Sequence, residues 1–290
     1  MVGLIRLGHP FPSLLTAAAT VMIATLAGAA PATGIRLGIA MLGIQVSIGA
    51  LNDLVDQPSD AREKPGKPLP RGLVGRGAAM GLAFVGGVVG LALSLSSGWA
   101  AALVATAGAV LGYAYDLRLS RGALSWLPLS LALPLLPIYG WLGATGTIPF
   151  GLIALVPVGV VAGGGLAFAN GLVDVERDAR SGRGTVTVAL GRDRTWLVQT
   201  LAIGLAALFA VFLAPTAPAI AAGGSLDTLR TLRVAGLALG VPLIAAGAGC
   251  LRASRPTLRE RGWELEAVGV ASLGIGWLAG TAAAAVAMQA

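Results

Sequence analysis

Asp53, Asp56 and Asp60 stand at intervals of three and four residues, and Asp174 and Asp178 repeat the four-residue interval. Side chains three or four apart on a helix are neighbours on one face. Carboxylates held that close repel one another, so the pattern calls for a positive partner. A hard divalent cation answers. Mg2+ takes oxygen ligands and is usually held by one or two carboxylates, with substrate phosphates completing its shell. Asp53, Asp56, Asp60, Asp174 and Asp178 are therefore the candidate metal ligands. Asp56, Asp60, Asp174 and Asp178 are also the candidate catalytic residues.

The residues around them point to the anion that would share the metal. Arg62, Lys64, Lys67 and Arg71 follow the first stretch, interrupted by Pro65, Pro68 and Pro70 and by Gly66 and Gly72. That composition forbids a regular helix. It predicts a stiff loop able to fold back over the aspartates. Arg177, Arg180 and Arg183 accompany the second stretch, with Gly182 and Gly184 as its turn. Cations of both kinds around one site indicate phosphate oxygens. Asn52, Arg62, Lys64, Lys67, Arg71 and Asn170 are the candidate diphosphate contacts. An EF-hand is excluded, because neither stretch has its ligand spacing or its glycine at the sixth position.

Charges at a helix end beside a membrane are commonly only interfacial, and a single pair of aspartates would not outweigh that reading. Here the pattern recurs. Asn52, Asp56 and Asp60 return as Asn170, Asp174 and Asp178 at an offset of 118 residues, and Leu-Val-Asp appears in both copies. Each copy ends an even-numbered hydrophobic span, which is the signature of parallel repeats about an axis near the membrane normal.

The elements that must position these stretches are membrane helices. The chain has 290 residues, 56% hydrophobic and 11% charged, against about 25% charged in soluble domains. Its apolar runs do not alternate in polarity as barrel strands do. Its 43 glycines suit close helix packing in lipid. Nine spans of about 20 residues are expected near 13–30, 34–52, 76–96, 99–115, 124–143, 148–170, 193–214, 230–250 and 264–288, in one domain over 1–290.

Nine spans put the termini on opposite sides. With the N-terminus in the cytoplasm, 17 of the 20 Lys and Arg fall on the cytoplasmic side, as the positive-inside rule requires. The net charge of +7 is explained by that asymmetry, so nucleic acid is not invoked. Twelve of the thirteen acidic residues lie on the same side, all but Asp227. The expectation is a multi-pass cell-membrane protein whose polar site opens to the cytoplasm. Eighteen arginines to two lysines suggest a prokaryotic source. Cys250 is read as a packing residue, and Arg252 to Glu266 as a solvated loop.

The paired motifs resemble the UbiA superfamily of intramembrane prenyltransferases. The first signature of that family reads here as Asn52, Asp53, Asp56 and Asp60, followed by Lys64-Pro65-Gly66-Lys67-Pro68-Leu69-Pro70-Arg71-Gly72. The second reads as Asp174, Asp178, Gly182, Thr185, Leu190 and Gly191, and the stretch from Tyr113 to Trp141, with Tyr115-Asp116-Leu117-Arg118, is similar to its middle part. The resemblance covers nearly the whole chain. It implies an all-α bundle of nine transmembrane helices around a central cavity. Aspartates would bind Mg2+ and a prenyl diphosphate, and an allylic cation would pass to an aromatic or other lipophilic acceptor. Tyr115, at the level of the aspartates, would face that cation through its ring, and Asp116 and Arg118 would touch the diphosphate. Tyr113, Tyr139, Trp126 and Trp141 read as interfacial aromatics.

Three departures are visible. Gly171 stands where many members have Asp, which predicts a missing contact in the second motif. Lys67 stands where Arg is commoner, and His9-Pro10 where Arg-Pro begins the first helix. Two other enzymes share the pattern: a terpene cyclase of the same type that needs no acceptor, and a phosphoribosyl-type transferase using a prenyl phosphate. A cation-coupled transporter would also suit the repeat, but transporters bind near the midplane and these aspartates sit at helix ends.

Overall fold

The computed structural model describes residues 2–213 and 225–289. Among these the chain is helical, in eleven α-helices: α1 Val2–Leu7, α2 Pro10–Leu26, α3 Pro31–Glu63, α4 Arg76–Leu95, α5 Trp99–Leu117, α6 Leu127–Ala132, α7 Leu135–Thr145, α8 Phe150–Arg180, α9 Val186–Leu208, α10 Leu226–Leu251 and α11 Pro256–Gln289. With α6 and α7 taken as one broken span, eight of them are long and apolar enough to cross a membrane. α2, with 17 residues, lies at the lower limit of about 17 residues for a spanning helix. The Pro/Gly-rich connection expected at 215–229 lies mostly outside the described residues.

Lipid-facing and core-facing surfaces separate as the composition requires. Phe84, Trp99, Leu103, Phe150 and Leu201 are largely exposed on the outside of the bundle, where hydrocarbon would cover them. Helix pairs close through small residues. A Cβ on Gly86 would lie 2.7 Å from the carbonyl oxygen of Gly43, and one on Gly236 would lie 2.7 Å from the Cα of Gly276. Only glycine lets α3 approach α4, and α10 approach α11, that closely. Hydroxyls that remain inside bond to one another: Ser47 to Tyr113 at 2.7 Å and Ser94 to Tyr139 at 2.8 Å.

Two long helices carry the acidic stretches. α3 continues through Pro58 to Glu63, and α8 through Pro157 to Arg180, so both sets of aspartates lie in the last turns of a helix. Ser59 and Asp60 follow Pro58 without a break. Pro65, Pro68 and Pro70 lie in the non-helical loop after Glu63, as expected.

The span expected at 124–143 is broken at Pro134 between α6 and α7, because proline removes a backbone donor and crowds the preceding turn. The expected loop from Arg252 to Glu266 is corrected. α11 starts at Pro256, a favoured first helical residue, and Arg259 and Glu266 are both 0% exposed. Arg259 donates to the carbonyls of Ala253 and Ser254 at 3.3 Å, to that of Val173 at 3.3 Å, and to the Glu176 carboxylate. It therefore pins the start of α11 to the end of α8. Tyr139 and Trp141 are also buried in the bundle rather than placed in an interfacial belt.

Candidate active site

The ends of α3 and α8 face each other, joined by cations. Lys64 Nζ, in the loop after α3, donates to Oδ2 of Asp174 on α8 at 2.9 Å. Arg183, after α8, reaches both stretches: its Nη2 is 3.8 Å from Asp56 Oδ1 and its Nε is 3.6 Å from Asp178 Oδ1. Arg121, from the turn after α5, lies 3.4 Å from Asp56 Oδ1, and its carbonyl accepts from Gly184 N at 3.1 Å. The connections after α3, α5 and α8 thus gather at one end of the bundle.

Lys67 folds back as the loop composition predicted. Its Nζ donates to Asp53 Oδ1 and Asp60 Oδ2, each at 2.7 Å. Burial opposes the ammonium charge, but the two carboxylates outweigh it, and the Lys67 pKa is held above its ordinary value. Lysine suits this position as a compact point charge that two carboxylates can share. His9 Nε2 stands 3.2 Å from Asp53 Oδ1, and its φ of 46° is the one left-handed non-glycine backbone among the described residues. Asp174 is also bonded by Arg177, one turn along α8.

Other expected residues fall as follows. Asn52 Nδ2 donates to Asp116 Oδ1 at 2.9 Å, so its amide is turned to α5. Tyr115 is half-buried, and the charges acting on it are those of Asp116, Asp178, Asp56 and Arg183, which puts it among the aspartates. Asn170 is exposed one turn before Asp174. Arg62, Arg71 and Arg118 are exposed, and none makes an ion pair to these aspartates. Asp116 and His9 join the site through Asn52 and Asp53, and Arg121, which carries no motif, joins it through Asp56.

The gap at Gly171 has a steric meaning. A Cβ there would lie 2.5 Å from Thr187 Cγ2. The position faces α9 rather than the other carboxylates, so glycine permits helix packing and is not a vacant ligand.

The donor set fits Mg2+. It is all carboxylate oxygen, and Oδ2 of the buried Asp116 has no hydrogen-bond partner. Among the described residues no three His, Cys, Asp or Glu side chains converge closely enough to hold an ion unaided. One or two carboxylates per ion, completed by phosphate oxygens, is the usual Mg2+ arrangement.

Beneath this polar end lies an apolar cavity of ≈ 230 Å³, the volume open to the centre of a water-sized sphere. Phe11, Leu15, Leu166, Trp263, Trp277 and Leu278 are among its walls, and no aspartate is. Phe11 is two residues from His9, and Leu166 lies about 12 Å before Asp174 along α8 at 1.5 Å per residue. From Trp263 to Leu278 the cavity follows α11 for about 22 Å at 1.5 Å per residue.

The UbiA prenyltransferase family model matches residues 13–260. A digeranylgeranylglyceryl phosphate synthase of Sulfolobus acidocaldarius is 30% identical over 158 residues, 53% of this chain and 56% of that protein. The chain thus aligns with only about half the length of this curated relative. Among solved structures, a UbiA homolog from Aeropyrum pernix K1 superposes with a TM-score of 0.71 at 17% identity, over 91% of this chain and 96% of that one. A UbiA homolog from Archaeoglobus fulgidus bound to GPP and Mg2+ superposes with a TM-score of 0.71 at 14% identity, over 96% of this chain and 99% of that one.

Proposed function

The chain belongs to the UbiA prenyltransferase family, and from that premise we propose that it is an Mg2+-dependent intramembrane prenyltransferase, moving an isoprenyl group from a prenyl diphosphate to a lipophilic acceptor. The observation that carries this reading is the pair of acidic helix ends joined by Lys64 and Arg183. The Archaeoglobus homolog's bound GPP and Mg2+ support the donor and the metal. The name of the Sulfolobus relative supports a glyceryl phosphate lipid as acceptor, in place of the aromatic acceptor also considered above.

Asp53, Asp56, Asp60, Asp174 and Asp178 would hold the metal. When bound, Mg2+ supplies charge neutralisation to the diphosphate leaving group. The chain's own residues do the rest. Lys64, Arg121, Arg177 and Arg183 already pair with these carboxylates and would turn to the diphosphate oxygens, stabilising negative charge as the allylic C–O bond breaks. The isoprenoid tail would lie in the apolar cavity, where water is excluded from the allylic cation. Tyr115, among the aspartates, would present its ring to that cation. The acceptor oxygen then bonds to the allylic carbon and its proton is lost.

The polar end would open to the cytoplasm of a multi-pass membrane protein, in the orientation that the basic residues favour. The test incubates purified protein with Mg2+ and a set of prenyl diphosphates, with and without a glyceryl phosphate lipid. Prenylated lipid supports the reading. Pyrophosphate released equally without acceptor, with a cyclic hydrocarbon formed, favours the cyclase, and no turnover of any prenyl diphosphate contradicts the proposal.

A further inference from the structure

Asp116 lies outside both repeated motifs, yet of the six aspartates gathered at the ends of α3, α5 and α8 it is the one whose charge is not met by a lysine or arginine. Asp53 and Asp60 share Lys67, Asp56 has Arg121 and Arg183, Asp174 has Lys64 and Arg177, and Asp178 has Arg183. Asp116, on α5, is 3% exposed. Oδ1 accepts from Asn52 Nδ2 at 2.9 Å. Oδ2 is buried and has no partner. The charged groups acting on Asp116 are His9, Asp56 and Asp53, so two more carboxylates raise the negative potential around it.

A buried carboxylate oxygen without a donor, in a group on which two further aspartates act, is costly. Here the free oxygen is fixed in direction, because Asn52 holds its twin. We propose that Asp116 is a further metal-binding residue, sharing a divalent cation with an aspartate of the first stretch, and that Asn52 orients it for that task. The inference rests on the Mg2+ reading above. It assigns to α5 a ligand that neither repeat contains, and to Asn52 a role toward Asp116 rather than toward the diphosphate itself. One cation between Asp116 and one α3 aspartate requires no three-carboxylate cage, in keeping with the geometry of the site.

The test titrates Mn2+ into purified, substrate-free protein, followed by the loss of free-ion paramagnetic signal, with thermal melting beside it. Asp116→Asn keeps the acceptor for Asn52 and removes the charge. The expected result is Mn2+ affinity lower by about tenfold or more, at least the loss seen when a supporting residue of a metal site is removed, with a metal-free Tm no lower than that of the unmodified protein. Asp116→Glu, which keeps a carboxylate, is expected to bind Mn2+ with an affinity between the two and provides a second reading if the Asn variant does not fold. Unchanged affinity in either variant overturns the inference alone. A lowered metal-free Tm with unchanged affinity assigns Asp116 a structural role and also overturns it. Absence of Mn2+ binding by the unmodified, substrate-free protein also overturns the inference, whereas the Mg2+ reading falls only if prenyl transfer proceeds without a divalent ion.

Discussion

Lys64 Nζ donates to Asp174 Oδ2 at 2.9 Å, across 110 residues of sequence. The loop of the first acidic stretch thereby grips the aspartate of the second. A site made from two repeats should fail when either repeat is damaged. Asp56→Ala and Asp174→Ala are each expected to lower Mg2+-dependent prenyl transfer by at least about 10²-fold, the scale of losing one preorganised electrostatic contact. Circular dichroism should show the helices intact. Full activity in either variant would contradict a shared site.

Lys67 gives a prediction about stability. It is partly buried between Asp53, 3% exposed, and Asp60, 6% exposed. Lys67→Met leaves two buried carboxylates facing each other, and breaking such a pair from one side costs about 3–5 kcal/mol. The metal-free Tm should fall, and Mg2+ should restore part of it by binding the folded state.

The same clamp predicts a pH profile. The Lys67 pKa is raised in the folded protein, so its contribution is complete below the unfolded value of about 10.4 and is lost only as pH rises beyond it. Melting between pH 6 and 9 should therefore show no step that disappears in Lys67→Met. Such a step would mean that Lys67 titrates lower than the clamp allows.

Gly171 separates a packing role from a missing ligand. With Thr187 Cγ2 2.5 Å from any added Cβ, Gly171→Asp should destabilise by about 1–3 kcal/mol, as overpacking does, without raising Mn2+ affinity. Gly171→Asp combined with Thr187→Gly should recover stability. Tighter Mn2+ binding in the single variant would show that this face does belong to the metal site.

Arg183 touches Asp56 and Asp178, whereas Arg62 is exposed and makes no ion pair to these aspartates. Arg183→Ala should raise the KM for prenyl diphosphate and lower kcat, while Arg62→Ala changes either by less than about twofold. The reverse order, measured by steady-state kinetics, would mean that the loop after α3 rearranges when diphosphate binds.

Much of this was legible because the aspartates sit on helices, where a spacing of three and four residues specifies a shared face. The prolines and glycines from Pro65 to Gly72 specified the loop that returns Lys64 and Lys67 to them. Which cation meets which carboxylate was not legible. Arg121 lies 65 residues from Asp56 with no motif around it, and only tertiary packing brings the two together. Arg62 and Lys64 look equivalent in sequence, but a helix end divides them, and the last turn of α3 points Arg62 outward. The reading of Arg252 to Glu266 as a loop failed for a related reason. Charge density is a sign of solvent only where the charges have no internal partner, and Arg259 meets the Glu176 carboxylate and the Val173 carbonyl of α8 inside the bundle.

The central claim is that the ends of α3 and α8 act together on one metal–diphosphate group. Its most direct test is calorimetric titration of a non-hydrolysable prenyl diphosphate analogue in the presence of Mg2+, into the unmodified protein, Asp56→Asn and Asp174→Asn. The expected result is Mg2+-dependent binding to the unmodified protein that weakens at least about tenfold, roughly 1.4 kcal/mol, in both variants. Undiminished affinity in either variant, or binding indifferent to Mg2+, would contradict it.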